Sequence, residues 1–209
     1  MEISDWKEFD RIRSNESRLW VQKMPKGLTT RLNIFKARFD IASRLQSMTF
    51  SPDFTDSTTQ AYFAGTRLVL AYSAGEALAR AEDKLRNRKP SSITNWSISR
   101  AGLAKELRPL VTLILENAEK HGTLNSNTRK YLEQFHEGNK SNIRPVATAL
   151  RHFHAHGGLT ARSITGSDDE KQYDFAPAVD GLAWALLEKC DEKFTKMMGE
   201  IRKSINIKH

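Results

Sequence analysis

An all-α fold, an up-and-down helical bundle, is predicted by three observations. Apolar residues recur every three or four positions over most of the 209 residues. No stretch alternates apolar and polar residues as a half-buried strand does, and no internal repeat is visible. Proline and glycine breaks separate the periodic segments. The length suits one well-covered core and is short for two, so residues 1–209 are expected to form a single all-α unit. Within it, residues 1–50 read as a helical N-terminal extension and 56–205 as the helical core.

The first helix is predicted from Trp6 to about Val21, where Trp6, Phe9, Ile12 and Leu19 keep helical spacing, weakened at Ser14-Asn15. After Pro25-Lys26-Gly27, a second carries Leu32, Ile34, Phe35, Phe39, Ile41, Ala42 and Leu45 up to the Ser51-Pro52-Asp53 loop. A third, Asp56 to Arg86, repeats small residues (Ala61, Ala64, Ala71, Ala74) that allow close packing. It ends in Lys84, Arg86, Arg88 and Lys89 before Pro90-Ser91-Ser92, cations at the negative end of the helix dipole. The segment Ser99 to His121 shows one buried face, with Pro109 as a kink point. A short helix from Asn125 to Phe135 follows. The next begins near Ser141 as N-cap, with Pro145 in its first turn, and stops at Gly157-Gly158. The polar stretch Ser163 to Asp174, with Asp168-Asp169-Glu170, reads as a surface connection. The last helix, Ala176 to Ile205, places Cys190, Phe194, Met197 and Met198 on a core stripe.

Composition narrows the function. The longest apolar runs, Leu68–Tyr72 and Val111–Leu115, are too short to cross a bilayer, and the N-terminus carries charges where a signal peptide needs an apolar core. One cysteine excludes an internal disulfide framework. A cytoplasmic protein with no membrane partner is expected. The formal net charge of +8 and pI near 9.6 favour a phosphate-rich partner, whether RNA, DNA or nucleotide.

Three of the six histidines, His152, His154 and His156, fall just after Arg151 and before two glycines. On a helix His152 and His156 share a face and His154 points away. Three readings stand side by side. The group is a set of cations at a helix C-terminus; or His152 and His156 chelate a metal with a third ligand such as His121, His136 or Asp174; or Arg151 and His156 form a catalytic pair.

The third reading comes from a resemblance. Arg151, the polar His152, Ala155, His156 and Gly157 together resemble the Arg-x4-His motif of the HEPN superfamily of helical ribonucleases and nucleic-acid-associated proteins. Tyr72-Ser73-Ala74-Gly75-Glu76-Ala77-Leu78 is similar to that family's early helix, where an acidic or polar residue faces the motif, and Glu76 takes that place. The resemblance spans roughly Asp56 to Ile205 and is nearest the Abi-like, defence-associated branches. It implies a metal-independent endoribonuclease, a toxin or defence effector, that needs no cofactor and acts as a homodimer.

Metal-free RNA cleavage requires removing a proton from the 2′-hydroxyl, stabilising the charge on the phosphorane-like transition state, and protonating the leaving 5′-oxygen. Histidine titrates near neutrality and contributes roughly 10²–10⁴-fold when positioned. Arginine clamps phosphate oxygens with its planar fork. His156 is therefore expected as acid or base, Arg151 as clamp, His152 as a secondary proton-transfer or orienting group, and Glu76 as the group that orients the motif. One Arg-His pair leaves a role unfilled, which a two-fold axis would supply. The products expected are a 2′,3′-cyclic phosphate and a 5′-hydroxyl. Two other readings use the same residues: a non-catalytic module that binds RNA, nucleotide or a partner, and an interaction protein docking an antitoxin or regulator through its N-terminal helices or the Met197-Met198 surface.

Overall fold

The computed structural model describes residues 1–48, 56–89, 96–121, 124–155 and 175–205. Among the described residues there are eight helices and no strand: α1 (Trp6–Asn15), α2 (Ser17–Lys23), α3 (Leu28–Arg44), α4 (Asp56–Leu85), α5 (Ala101–His121), α6 (Ser126–His136), α7 (Arg144–Ala155) and α8 (Ala176–Ile205). The all-α class expected from the apolar periodicity is the class observed. His156, Gly157-Gly158, the Ser163–Asp174 stretch with its acidic run, Ser51-Pro52-Asp53 and Pro90-Ser91-Ser92 lie outside the described residues, as does the side chain of His121.

Helix directions follow from the pairs that join them. Arg38 donates to the Ser73 carbonyl at 3.2 Å, and Arg67 donates to the Leu45 carbonyl, so α3 and α4 are antiparallel. Arg67, within α4, meets Asp180, and Arg86, just past the end of α4, meets Glu200 at 2.5 Å, so α4 and α8 run parallel. His154 abuts Gly65 and Thr148 bonds Tyr72, which sets α7 antiparallel to α4. Leu103 faces Gly181, and Arg100 pairs with Glu188, which sets α5 against α8. Direction alternates along the chain from α3 to α8. Yet α4 is the hub, touching α3, α7 and α8, and its parallel partner α8 is four helices away in sequence.

The reason is the apolar distribution. On α4, Ala61, Ala64, Leu68, Ala71, Ala74, Ala77, Leu78, Ala79 and Ala81 are all buried, so no side of this helix is left wholly to water. Small residues let α3 and α8 close on it. On α8, Leu182, Leu186, Cys190, Phe194, Met197, Met198 and Ile201 have no exposure, and each large one buried contributes on the order of 2 kcal/mol. The Met197-Met198 pair is therefore core and offers no docking surface.

The N-terminal segment joins the same core. Phe194 of α8 stacks on Trp6 at 5.6 Å and lies 5.7 Å from Phe35, while Phe9 meets Trp20 edge-on at 5.4 Å. Arg202 of α8 binds Glu8 and, at 3.3 Å, Asp5.

Local readings change in three places. The single helix expected from Trp6 to Val21 is two, because Glu16 leaves helical geometry (φ −106°, ψ 31°). Asn125 caps α6, its side chain accepting from the Thr128 amide at 2.9 Å. Ser141 does not cap α7. Asn142 does this work: its Oδ1 accepts from the Arg144 amide at 3.2 Å and from the Ile98 amide at 3.0 Å, tying the start of α7 to the strand-like stretch before α5.

Candidate functional site

The α4–α7 contact is built from spacing. Arg144, Thr148 and Arg151 stand at i, i+4 and i+7 on one face of α7, while Tyr72 and Glu76 stand at i and i+4 on α4. What sets their register is a close approach lower down. A Cβ added at Gly65 would sit 2.6 Å from His154 Cε1, so only glycine leaves room for the ring. His154 is half-buried, its Nδ1 has no hydrogen-bond partner among the described residues, and burial lowers its pKa from the usual 6.5. That placement fits the helical geometry that points it away from His152: it packs against α4.

Two turns along, the hydroxyls of Tyr72 and Thr148 lie 3.1 Å apart. Thr148 donates to the Arg144 carbonyl at 3.1 Å and receives Arg144 Nη1 at 3.3 Å. Arg151 extends over Tyr72, its Cζ 5.1 Å from the ring centre, and its Nη2 stands 3.9 Å from Glu76 Oε2. Its side chain keeps 40% exposure and that of Glu76 23%. The structure thus brings Arg151 and Glu76 together, with an aromatic face beneath the guanidinium. A pair this long and this exposed is weak, of order 0–1 kcal/mol, and the cation–π contact adds about 0.5–1 kcal/mol. Both restrain the arginine without consuming its charge.

His152 follows Arg151, half-buried, its ring edge-on to Phe153 at 6.1 Å. Phe153 is buried. His136, named as a third metal ligand, sits at the end of α6 beside α5, its Nδ1 3.2 Å from Thr112 Oγ1 and 3.4 Å from the Arg108 carbonyl. Among the described residues no group of three or more His, Cys, Asp or Glu side chains gathers that would hold a metal.

Sequence reasoning missed Tyr72 as a platform, and Thr148 and Arg144 altogether. The signal that would have found the latter two is the i, i+4, i+7 spacing back from Arg151. Arg144 is half-buried, burial pulls its guanidinium below the usual value, and the Tyr72 and Tyr131 hydroxyls face it. Tyr131 donates to the Asn142 carbonyl at 3.0 Å.

The two arginines of the basic run at the end of α4 are paired with acids. Arg86 pairs with Glu200 and Glu82, and Arg88 pairs with Asp83 at 3.1 Å. Cys190 is fully buried and its thiol is pushed up by burial, so it is no nucleophile. Among the described residues no helix is long and apolar enough to cross a membrane. Comparison with family models, curated proteins and solved structures finds no match to this chain.

Proposed function

We propose that this protein is a HEPN-like, metal-independent endoribonuclease, a toxin or defence effector whose site is Arg151 and His156 with His152 and Glu76 in support. The observation that carries the reading is the state of Arg151. It projects from the last turns of α7, 40% exposed, steadied by Glu76 at 3.9 Å and by the Tyr72 ring. A guanidinium held in place but incompletely neutralised is suited to gripping a phosphate whose charge grows in the transition state. His156 lies five residues on in the sequence and supplies acid–base chemistry; His152 sits beside the clamp. Glu76 orients Arg151 and leaves the reacting phosphate to the cations. The reading includes a homodimer that places two Arg151–His156 pairs in one cleft, and an antitoxin or regulator that restrains it in a cytoplasmic setting.

Labelled RNA incubated in excess chelator tests the proposal. Wild type is expected to leave 2′,3′-cyclic phosphate and 5′-hydroxyl ends, and Arg151→Ala and His156→Ala are each expected to lose at least about 10²-fold in rate. Cleavage that persists in His156→Ala overturns the site.

The second reading, an RNA- or nucleotide-binding module without turnover, is favoured by one observation. The groups that touch Arg151, namely Glu76 and Tyr72, are an ion-pair partner and an aromatic platform, contacts that orient and bind. Retained RNA with no products under chelator would select it.

A further inference from the structure

Arg144 is the cation on this face whose surroundings make least sense without a ligand. It occupies the first turn of α7, where the helix dipole is positive and a guanidinium is disfavoured. It is half-buried, and among the described residues no carboxylate lies within ion-pair distance of it. Its side-chain partners are hydroxyls, Thr148 Oγ1 at 3.3 Å from Nη1 and that of Tyr72, and its Nε has no hydrogen-bond partner among the described residues. Tyr72 and Tyr131, which face it, are hydroxyls and not carboxylates. Three arginines that join helices have an acid: Arg67 with Asp180, Arg86 with Glu200 and Arg202 with Glu8. Arg38 and Arg108, half-buried like Arg144, have no ion pair among the described residues but do not share the α4–α7 face with Arg151. A cation taken from water without a counter-charge costs several kcal/mol, so it persists where something else is gained.

Arg144 also stands in line with Arg151. The two share a face of α7, seven residues apart, which is about 10 Å along the helix axis. Tyr72 lies between them: Arg151 covers the ring face, and the hydroxyl, through Thr148, marks the Arg144 end. Among the described residues two guanidinium groups on this face meet one carboxylate, that of Glu76, itself on the Arg151 side. Counted over the described residues, the face is short by one negative charge.

We infer that Arg144 is a second phosphate contact, so that the α4–α7 face takes a phosphodiester strand, one phosphate at Arg151 and another at Arg144, and not an isolated mononucleotide. This rests on the proposed reading of Arg151 as a phosphate clamp and adds the substrate class: a strand laid along α7 with at least two phosphates engaged. An anion there reverses each unfavourable feature at once, neutralising the desolvated charge, complementing the dipole and filling the vacant Nε–H.

The test measures binding of a fluorescent 2′-O-methyl oligoribonucleotide, which cannot be cut by 2′-hydroxyl attack, across a salt series. For Arg144→Gln the slope of log affinity against log salt is expected to become shallower by about 0.7, the value for one single-strand phosphate contact, and affinity to fall about tenfold, with Arg144→Lys retaining the slope. Thr148→Asp covers the case in which Arg144→Gln does not fold: it leaves the arginine in place, gives it an internal carboxylate, and is expected to show the same loss of slope. An unchanged slope in Arg144→Gln or Thr148→Asp, alongside a reduced slope in Arg151→Gln, overturns this inference and leaves the Arg151 reading standing. A nucleoside monophosphate whose own affinity falls in Arg144→Gln as much as that of the oligonucleotide also overturns it, because Arg144 and Arg151 would then hold the same phosphate. Intact binding with the expected slopes, but no cleavage of unmodified RNA under chelator, sinks the ribonuclease proposal and keeps the inference; no binding by wild type sinks both.

Discussion

Arg67, on α4, and Arg151, which reaches α4 from α7, both lay a guanidinium over an aromatic ring, yet they are opposite kinds of arginine. Arg67 is 6% exposed, lies 4.3 Å from the Phe63 ring centre and 5.1 Å from that of Trp184, and is bonded by Asp180 and the Leu45 carbonyl. Trp184 Nε1 donates to the second oxygen of Asp180 at 3.2 Å, completing the set. Arg151 has one ring and one carboxylate at 3.9 Å, and its side chain stays 40% exposed. The first joins α3, α4 and α8 and has its charge consumed by the fold; the second has charge to spare. A basic chain thus carries arginines with two different purposes, and composition alone treats them as the same residue.

The contrast is sharpest in stability. Arg67→Ala removes one partner of a mostly buried ion pair and leaves Asp180 and the Leu45 carbonyl unsatisfied, so a loss of about 3 kcal/mol is expected in urea unfolding. Arg151→Ala is expected to cost under about 1 kcal/mol in the same measurement, because its pair is part-exposed and long. Equal losses would erase the distinction between the two sites.

Gly65 tests what holds α7 in register. Gly65→Ala gains roughly 1 kcal/mol in helix propensity but pushes a methyl into His154, and overpacking of this kind costs about 1–3 kcal/mol. A net loss of about 1 kcal/mol is expected, reversed to a gain when combined with His154→Ala. If the two substitutions prove additive, the close approach is not what aligns Arg151 with Tyr72.

The smallest effect expected is a dependence on pH. Burial favours the neutral ring of His154, so its folded pKa is below the unfolded value near 6.5. Its contribution to stability is complete above about 6.5 and is lost as pH falls through the folded pKa, because the unfolded chain takes up the proton first. Comparing wild type with His154→Leu near pH 7 and near pH 5 should show a smaller acid loss in the variant. Parallel losses in the two proteins would assign the acid sensitivity elsewhere.

How much was legible depended on the range of the forces involved. The long helices α4 and α8 could be delimited almost to the residue, because their apolar spacing persists for many turns and each turn repeats the message. The break at Glu16 could not, since it turns on one residue's backbone geometry amid weak neighbours. Asn142 was missed as a cap because its partners include Ile98, which is far away in sequence. Of the site, the Arg-x4-His resemblance pointed to Arg151 and to Glu76, and the two are neighbours across α4 and α7. Tyr72 and Arg144 gave no such signal: an aromatic and an arginine on helices are ordinary until a second helix is laid against them.

By itself the sequence determined that the chain is helical, where most of its helices run, that α8 faces inward over its whole length, and that a positive excess of charge must be carried somewhere. Those properties come from local periodicity and composition, which need no knowledge of neighbours. Only the tertiary structure decided which arginines keep their charge available. Arg67 lost its charge to Asp180, 113 residues away, and Arg144 found no acid among the described residues, because pairing depends on which helix faces lie within a few ångströms of one another. At 65 and 154 a glycine on one helix leaves room for a histidine of the other, and no reading of either helix alone contains that contact.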